Sequence, residues 1–302
     1  MLQIHPRPQT DFDRLVRDLR PRLYTFCARM VGSVVEGEDV VQDTLLKALQ
    51  AWPGIERLDS PEAWMFRIAR NAALDALKRG GRTEPLEDHE HLAVETTDAL
   101  SQRELTEFGL RPFMKLSAAQ RACLILLDVL GYTLAEIAAM LDMSVPAVKA
   151  ALHRGRTKLR ALAATLEEPA PLVLSAEERA HLARYVALFN ARDFDAVRAL
   201  LADDVRLDLM GEFTRHGRAG VEPYFGNYSR LLGWHLVPGT IDGQPGLLSY
   251  RDGAIANFIF ISWRDGRITR IRDFFHCPVA RGMADARPLE VASLPEGGAI
   301  QI

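Results

Sequence analysis

Residues 116–160 read LSAAQRACLILLDVLGYTLAEIAAMLDMSVPAVKAALHRGRTKLR and contain three predicted helix starts. In the first two, a hydroxyl caps the first turn and the residue three positions later binds back to the cap: Ser117 with Gln120, and Thr133 with Glu136. Ser144 is placed to cap the third helix, and Pro146 is tolerated there because the amides of a first turn lack intrahelical partners. The spacing predicts a helix-turn-helix.

The third predicted helix carries five Lys or Arg residues and no acid between Val145 and Arg160, although the whole chain has a net charge of −3. Four apolar residues at helical spacing predict a buried stripe: Val145, Val148, Leu152 and Leu159. Four other residues form a neighbouring cationic stripe: Lys149, His153, Arg156 and Arg160. A basic helix presented by two preceding helices is typical of a recognition helix in the DNA major groove.

The contacts expected of this helix divide by position. Residues near its start are best placed to reach base edges: Ser144, Ala147, Lys149 and Ala150. Residues further along are expected at the DNA too, the later cations at its phosphate backbone: His153, Arg154, Arg156, Lys158 and Arg160. The alternative is that these charges form only a solvated helix face.

Composition bounds the protein class. With 302 residues, 48% hydrophobic and 25% charged, the chain is typical of a soluble globular protein of two or three domains. No apolar run approaches the length of a membrane helix, and Met1 to Thr10 has no hydrophobic signal core, so we expect a cytoplasmic protein. Cys27, Cys123 and Cys277 lie far apart in apolar segments, which favours reduced core thiols. We expect no metal site and no cofactor.

The N-terminal part has a helical pattern from Phe12 to Arg82, with predicted breaks at Gly32–Gly37 and Pro53–Pro61. Glu38 to Leu49 forms an amphipathic helix with a polar edge of three residues: Asp39, Gln42 and Asp43. Ser60-Pro61 opens the next helix, and Gly80-Gly81 ends it. Within that helix one group is predicted to face inward (Trp64, Ile68, Ala72) and another to face elsewhere (Arg67, Arg70, Lys78, Arg79).

Three segments in this order resemble regions two and four of the extracytoplasmic-function class of bacterial sigma factors: Glu38 to Trp52, Trp64 to Arg79, and Leu116 to Leu162. The resemblance implies two all-α helical domains, residues 10–82 and 111–166. It also implies two partners, core RNA polymerase and promoter DNA. The first domain would bind the polymerase and recognise the −10 promoter element, and the helix-turn-helix would bind the −35 element.

The resemblance assigns roles to particular residues. The polar edge of Asp39, Gln42 and Asp43 would contribute to the polymerase interface, and Asn71 would help to hold a base flipped from the non-template strand. Melted DNA requires cations along its backbone and planar or polar groups around an unstacked base. The residues expected to supply these groups for the −10 element are Trp64, Arg67, Arg70, Asn71, Lys78 and Arg79. For Trp64, a core position is the alternative.

An acidic linker, residues 83–110, is predicted between the helical domains. From Thr83 to Glu107 it holds eight acids and a single Arg or Lys residue, Arg103, with little apolar periodicity. In the family this connector passes through the polymerase channel, where acidity would partly imitate nucleic acid. A solvated spacer remains the alternative.

A third domain, residues 174–278, is predicted after Pro169-Ala170-Pro171, with a tail over 279–302. Ser175 and Glu178 form a further capping box, and short strands follow. Three Asp-Gly pairs at positions 242, 252 and 265 favour two-residue hairpins, so we expect a curved antiparallel sheet wrapped on helices, an α+β fold.

Residues 202–208 and 268–274 of this domain resemble the SnoaL-like polyketide-cyclase and ketosteroid-isomerase superfamily, whose cone-shaped domain has an internal pocket. Five residues are candidates to line that pocket: Asp208, Tyr224, His235, Asp273 and His276. An acid whose pKa is raised by apolar walls beside a Tyr or His suits proton abstraction next to a carbonyl. A regulatory role is favoured, while a small-molecule ligand remains open.

The favoured hypothesis is therefore a promoter-specificity subunit of RNA polymerase, without catalysis of its own, that is regulated by its third domain. One alternative is a conventional operator-binding regulator, which would leave Glu38 to Arg79 without a role. A second is an isomerase or cyclase-like enzyme domain fused to a DNA-binding module. The hypothesis names core RNA polymerase and promoter DNA as partners and leaves the anti-sigma factor unknown.

Overall fold

Helices alone build the first part of the chain, and helices with a sheet build the second. The computed structural model describes residues 9–55, 58–82, 100–101, 104, 110–163, 172, 174–230 and 232–289. The chain divides into two units, Met1–Glu167 and Glu168–Ile302, named here the helical unit and the α+β unit. Most of the predicted linker, and the predicted tail from residue 290 onward, lie outside the described residues.

The helical unit contains α1 (Gln9–Val31), α2 (Val34–Ala51), α3 (Pro61–Arg79), α4 (Ala118–Leu124), α5 (Leu134–Leu141) and α6 (Val145–Ala163). The first three pack around aromatic and aliphatic side chains, among them Phe26 and Phe66 in edge-to-face contact at 5.4 Å. Trp64 and Ile68 lie only half-buried on α3, whereas Met65 and Phe66 are fully buried. The inward face of α3 is therefore rotated from the predicted one.

The predicted break at Gly32–Gly37 is too long. Helix α2 begins at Val34, where the Ser33 hydroxyl accepts a hydrogen bond from the Glu36 amide at 3.3 Å. Gly37 lies inside the helix, and a Cβ there would come within 2.5 Å of the Ala28 Cα. Glycine is therefore used for the close approach of α1 and α2 and not for a turn.

The α+β unit contains α7 (Ala176–Asn190), α8 (Phe194–Ala199), β1 (Leu201–Leu209), β2 (Phe213–His216), α9 (Gly217–Arg230), β3 (Trp234–Ile241), β4 (Gln244–Arg251), β5 (Ala254–Arg264), β6 (Arg267–Asp273), α10 (Pro278–Met283) and β7 (Ala286–Pro288). The described strands form one sheet in the order β2-β1-β6-β5-β4-β3-β7. This helix-plus-sheet order confirms the predicted fold class.

The hairpin chemistry was predicted correctly, but the sheet is not wholly antiparallel. Asp242, Asp252 and Asp265 all have φ between 51° and 52°, as the predicted turns require. Strand β1, however, runs parallel to β6. No tight turn joins these two strands, so the hairpin signals that fix the β3–β6 meander place no constraint on their relative direction. The short edge strands β2 and β7 had not been predicted.

The core of the α+β unit lies between one face of the sheet and α7, α8 and α9. Leu207 of β1 and Ile271 of β6 belong to this cluster, together with Tyr185, Phe189 and Phe225 from the helices. Because successive strand residues point to opposite faces, the neighbours of Leu207 and Ile271 face the other side of the sheet. That alternation decides where the candidate polar residues of the unit lie.

Candidate nucleic-acid interface

The helix-turn-helix forms through the predicted caps. The Ser117 hydroxyl accepts from the Gln120 amide at 3.4 Å, and the Thr133 hydroxyl accepts from the Glu136 amide at 3.3 Å, with both boxes closed by the return bond. The Ser144 hydroxyl accepts from the Ala147 amide at 3.3 Å and so starts α6. A five-residue π-helical segment, Ile125–Val129, extends α4 and had not been predicted.

Helix α6 presents the first part of its predicted contact set to solvent. Ser144 and Lys149 are exposed, and Ala147 and Ala150 are half-buried. Val148, Leu152 and Leu159 form the predicted buried stripe. Val145 does not belong to it, because it is 36% exposed at the first position of the helix. The residues predicted to reach base edges are therefore available at the start of α6.

Arg156 is the member of the predicted set that the structure removes from the surface. Its Nε and Nη2 donate to the two carboxylate oxygens of Asp128 at 2.9 and 2.5 Å, and its side chain is 10% exposed. Asp128 lies in the π-helical segment Ile125–Val129. We therefore revise the role of Arg156 from a DNA contact to an internal ion pair. His153, Arg154 and Lys158 are half-buried, and Arg160 donates to Glu104 at 3.0 Å.

On α3 the candidate residues lie along one surface. Asn71, Lys78 and Arg79 are exposed, and Arg70 is half-buried. Trp64 is also half-buried, with its ring 6.0 Å from that of Trp52, so it serves partly as core. This surface combines an exposed amide with several cations, which is the chemistry that an unstacked base and its phosphates require.

The polar edge of α2 continues into two exposed leucines. Asp39, Gln42 and Asp43 are half-buried, and Asp43 accepts from Arg79 at 3.1 Å. Leu46 and Leu49 follow at helical spacing and are 55% and 40% exposed. Sequence reasoning missed them, although their positions three and six residues after Asp43 carry the signal. An exposed apolar pair beside acidic groups is suited to protein docking.

Helix α3 also contacts α5 of the helix-turn-helix. Nη2 of Arg67, a predicted DNA contact, donates to the Ala139 carbonyl at 2.9 Å. The Tyr132 hydroxyl donates to the Glu62 carboxylate, which also accepts from Arg22 at 2.9 Å. Burial, aided by the bond to Glu62, raises the pKa of the Tyr132 hydroxyl. The Tyr132 ring lies 5.4 Å from the Phe66 ring. Part of the candidate surface of α3 is therefore in contact with the helix-turn-helix.

Arg121 is a second link between two parts of the helical unit, which we call its modules: helices α1–α3, and the helix-turn-helix of α4–α6. It is 1% exposed and donates to three carbonyls, those of Phe113 at 2.9 Å, Leu116 at 3.0 Å and Met30. Met30 lies in the last turn of α1, where unpaired carbonyls favour a cation. The other two carbonyls precede α4, so only one of the three bonds joins the modules.

The α+β unit brings together only two of its five predicted pocket residues. Asp273 is fully buried and accepts from Tyr224 at 2.8 Å, Tyr228 at 2.7 Å, the Asn257 amide group at 2.7 Å and the Phe275 amide at 2.9 Å. Burial raises the pKa of Asp273, and the hydrogen bonds oppose that rise. Four donors occupy its two oxygens, so the carboxylate is held in a structural network.

The other three residues do not line a common pocket with Asp273. Asp208 points to the opposite face of the sheet, where it pairs with Arg206 and Arg270. His235 is exposed and stacks on Tyr250, and His276 is exposed with Nδ1 3.8 Å from a Glu212 oxygen. The alternation of Val205 and Leu207 with Asp208 already carried this signal. The predicted five-residue pocket is therefore wrong for Asp208, His235 and His276.

Two other predictions concern a membrane-spanning helix and a metal site. The described part of the chain contains no helix that is long and apolar enough to cross a membrane. Among the same residues, no group of three His, Cys, Asp or Glu side chains could hold a metal ion. Cys27 and Cys123 are buried, and burial raises the pKa of both thiols.

Comparison with known proteins matches the helical unit to two family descriptions. Residues 15–83 match "Sigma-70 region 2" and residues 113–159 match "Sigma-70, region 4". The chain is 32% identical over 154 residues to the ECF RNA polymerase sigma factor SigM of Mycobacterium tuberculosis, covering 50% of this chain and 76% of SigM. It is 31% identical over 212 residues to SigG of the same organism, covering 61% of this chain and 57% of SigG.

The second match therefore spans little more than half the length of SigG. For the C-terminal part, an NTF2-like protein of unknown function from Cytophaga hutchinsonii is similar in structure. It is 18% identical, covers 32% of this chain and 96% of that protein, and has a TM-score of 0.26.

Proposed function

The chain belongs to the extracytoplasmic-function (ECF) family of RNA polymerase sigma factors, and from this premise we propose that it binds core RNA polymerase and directs promoter-specific initiation. The observation that carries the proposal is the pairing, in one unit, of an exposed Asn-and-cation surface on α3 with a capped helix-turn-helix. A conventional operator-binding regulator would use only the second of these.

In this proposal the two DNA-binding surfaces read different promoter elements. Asn71 on α3 holds an unstacked base of the −10 element, while Arg70, Lys78 and Arg79 contact its backbone. At the −35 element, the start of α6 enters the major groove and Lys149 reaches a base edge. His153, Arg154 and Lys158 lie further along α6 and contact phosphates there. Arg156 is left out because Asp128 already holds it.

The same proposal requires the helical unit to open. The −10 and −35 elements are roughly 25 base pairs apart, on the order of 85 Å at ~3.4 Å per base pair. Helices α3 and α5 are in contact through Arg67 and Tyr132 in this structure. One molecule in this conformation cannot bind both elements, so polymerase binding must separate the modules. The contacts of Arg67 with Ala139 would then be replaced by contacts with DNA.

We assign the polymerase-docking surface to α2. Asp39, Gln42 and Asp43 supply polar contacts, and Leu46 and Leu49 supply the apolar area that such an interface buries at its centre. This assignment extends the predicted polar edge by the two leucines. It places the site of action at the polymerase, in the cytoplasm.

For the α+β unit we propose a regulatory role and assign no reaction. Both carboxylates that were candidates for a catalytic base are engaged, Asp273 by four donors and Asp208 by two arginines and Thr214. The enzyme alternative would need a group free to accept a proton from a substrate. Its test is turnover of small ketones that is lost in Asp273→Asn.

Run-off transcription with purified core polymerase tests the proposal. We expect the full chain to direct initiation from its promoter, Asn71→Ala to abolish promoter melting while retaining −35 binding, and Lys149→Ala to weaken −35 binding by about 1–3 kcal/mol. Arg17→Ala, an exposed cation on α1, is the matched control. A chain that neither binds core polymerase nor supports initiation at any promoter would contradict the proposal.

A further inference from the structure

Helix α6 exposes small apolar side chains at its start. Val145 is 36% exposed, Pro146 is exposed, and Ala147 and Ala150 are half-buried. The Ser144 hydroxyl, which accepts from the Ala147 amide at 3.3 Å, holds the first turn of the helix in place. We name this surface the apolar start of α6; its members are Val145, Pro146, Ala147 and Ala150.

Packing against α4 fixes the direction in which the apolar start points. Val148 and Leu152 are buried, and they follow Pro146 and Ala150 by two positions each. Two residues correspond to a turn of about 200° around the helix axis, so the two pairs lie on nearly opposite sides. On the buried side, a Cβ at Gly155 would come within 2.8 Å of a side-chain carbon of α4. This close approach keeps Pro146 and Ala150 on the outer side of α6.

Few side chains at the start of α6 can hydrogen-bond to a base edge. Residues 144–152 read SVPAVKAAL, in which only Ser144 and Lys149 carry a side-chain donor. Arginine, asparagine and glutamine, which read guanine or adenine through paired hydrogen bonds, do not occur in these nine positions. Hydrogen-bond readout by this part of α6 is therefore limited to Ser144 and Lys149.

The major groove offers one apolar group that such a surface can recognise. Thymine presents its C5 methyl group there, whereas the other three bases present only hydrogen-bonding groups and ring edges. Alanine and other apolar side chains discriminate thymine by contact with this methyl group. Removing one methyl group from water raises affinity roughly 4-fold. Small side chains also let the helix come close to the base edges.

We propose that the apolar start of α6 recognises thymine in the −35 element through its C5 methyl group. Pro146 and Ala150 make this contact, because they lie on the outer side of the helix near its N-terminus, where a recognition helix meets base edges. Lys149 reads a neighbouring base by hydrogen bonding. The inference rests on the proposed function and names the chemical group that α6 recognises in the promoter.

The first test changes the DNA and leaves the protein intact. Core polymerase loaded with the full chain selects promoter duplexes from a random-sequence pool, and each thymine of their shared −35 element is then replaced by uracil. The replacement removes one methyl group and keeps every hydrogen-bonding group of the base. We expect uracil at one or two positions to weaken binding roughly 4-fold each, measured by competition in fluorescence anisotropy.

The second test assigns the methyl contact to α6. Ala150→Gly deletes the side-chain methyl that meets thymine, so the ratio of thymine to uracil affinity should fall from roughly 4 to below about 2 at one position. Ala135→Gly is the matched control, because Ala135 is an exposed alanine of α5 and the change also lowers helix propensity. The control should keep the wild-type ratio. A ratio of two affinities does not depend on the fraction of protein that is folded.

A third variant separates the two kinds of readout. Lys149→Ala should weaken binding to the thymine and uracil duplexes by the same factor, because the lysine reads a different base. The ratio of thymine to uracil affinity should therefore stay at the wild-type value. A ratio that falls in Lys149→Ala and stays unchanged in Ala150→Gly would place the methyl contact on the lysine stem and overturn the assignment.

Equal affinity for thymine and uracil at every position would overturn the inference, and so would a −35 element with no thymine on either strand. In both cases the selection itself demonstrates promoter recognition, so the sigma-factor role would stand while the inference fails. A loaded polymerase that selects no duplex would refute the role and the inference together.

Discussion

The helical unit and the α+β unit use polar side chains in opposite ways. In the helical unit, several polar contacts join α1 and α3 to the helix-turn-helix, through Arg22, Glu62, Arg67 and Arg121. In the α+β unit, the buried carboxylates Asp208 and Asp273 bind partners within the sheet and the helix packed on it. The polar contacts of the helical unit link its two modules, whereas those of Asp208 and Asp273 hold together the sheet and its packed helix.

The two units differ in whether other partners can replace a polar contact after it breaks. Arg22, Glu62 and Arg67 are at least partly exposed, so water can replace their partners. Arg121 keeps the carbonyls of Phe113 and Leu116 when Met30 withdraws. No such replacement exists for Asp273, whose three side-chain donors are buried with it. The helical unit is therefore suited to opening, and the α+β unit to keeping its shape.

The largest expected effect is on the α+β unit. Asp273→Ala leaves two tyrosine hydroxyls and two N–H donors without their acceptor, which should lower the free energy of unfolding by about 3–5 kcal/mol. Urea denaturation of the full chain gives the value, and hydrogen exchange of β6 peptides assigns it to this unit. Asp195→Ala, at a carboxylate that is 95% exposed, is the control. Equal loss in both variants would remove the special role of Asp273.

An intermediate effect is expected at the link between the modules. Arg121→Leu removes the guanidinium donor from three buried carbonyls, of which that of Phe113 keeps the Leu116 amide, so we expect a loss of about 2–4 kcal/mol in the free energy of unfolding. Hydrogen exchange should rise at the end of α1 and before α4 together. Arg17→Leu serves as the exposed control on α1. Protection lost only before α4 would show that the bond to Met30 contributes nothing.

The smallest effect on stability is expected at Tyr132. Tyr132→Phe keeps the ring contact with Phe66 and removes the hydroxyl bond to Glu62, at a cost of about 1 kcal/mol. Because that bond joins α3 to the helix-turn-helix, the variant should bind core polymerase more tightly than the wild type. Thr157→Ala, on the exposed side of α6, is the control. Unchanged polymerase affinity would mean that this contact does not restrain the modules.

Local rules explain which features the sequence revealed. Capping boxes depend on residues three positions apart, so Ser117, Thr133 and Ser175 could be recognised directly. The Asp-Gly hairpins are equally local. The fold class and the order of the three predicted domains followed from such signals together with the family resemblance.

The features that sequence reasoning missed depend on distant residues. Arg156 pairs with Asp128, 28 positions away in a π-helical segment that no local sequence signal had indicated. Asp208 and Asp273 lie on opposite faces of the sheet, which follows from strand alternation only once the core-facing residues are known. The parallel pairing of β1 with β6 had no local signal at all.

The most direct test of the account is the distance between α3 and α5 in the free chain and in the transcription complex. Energy-transfer labels at Asp75 and Ala135, both exposed, report that distance. Because Asp75 lies beside Lys78 and Arg79, the labelled chain is first shown to initiate transcription. We predict high transfer in the chain alone and a large loss of transfer when core polymerase and promoter are added. High transfer retained in a complex that initiates transcription would contradict the account.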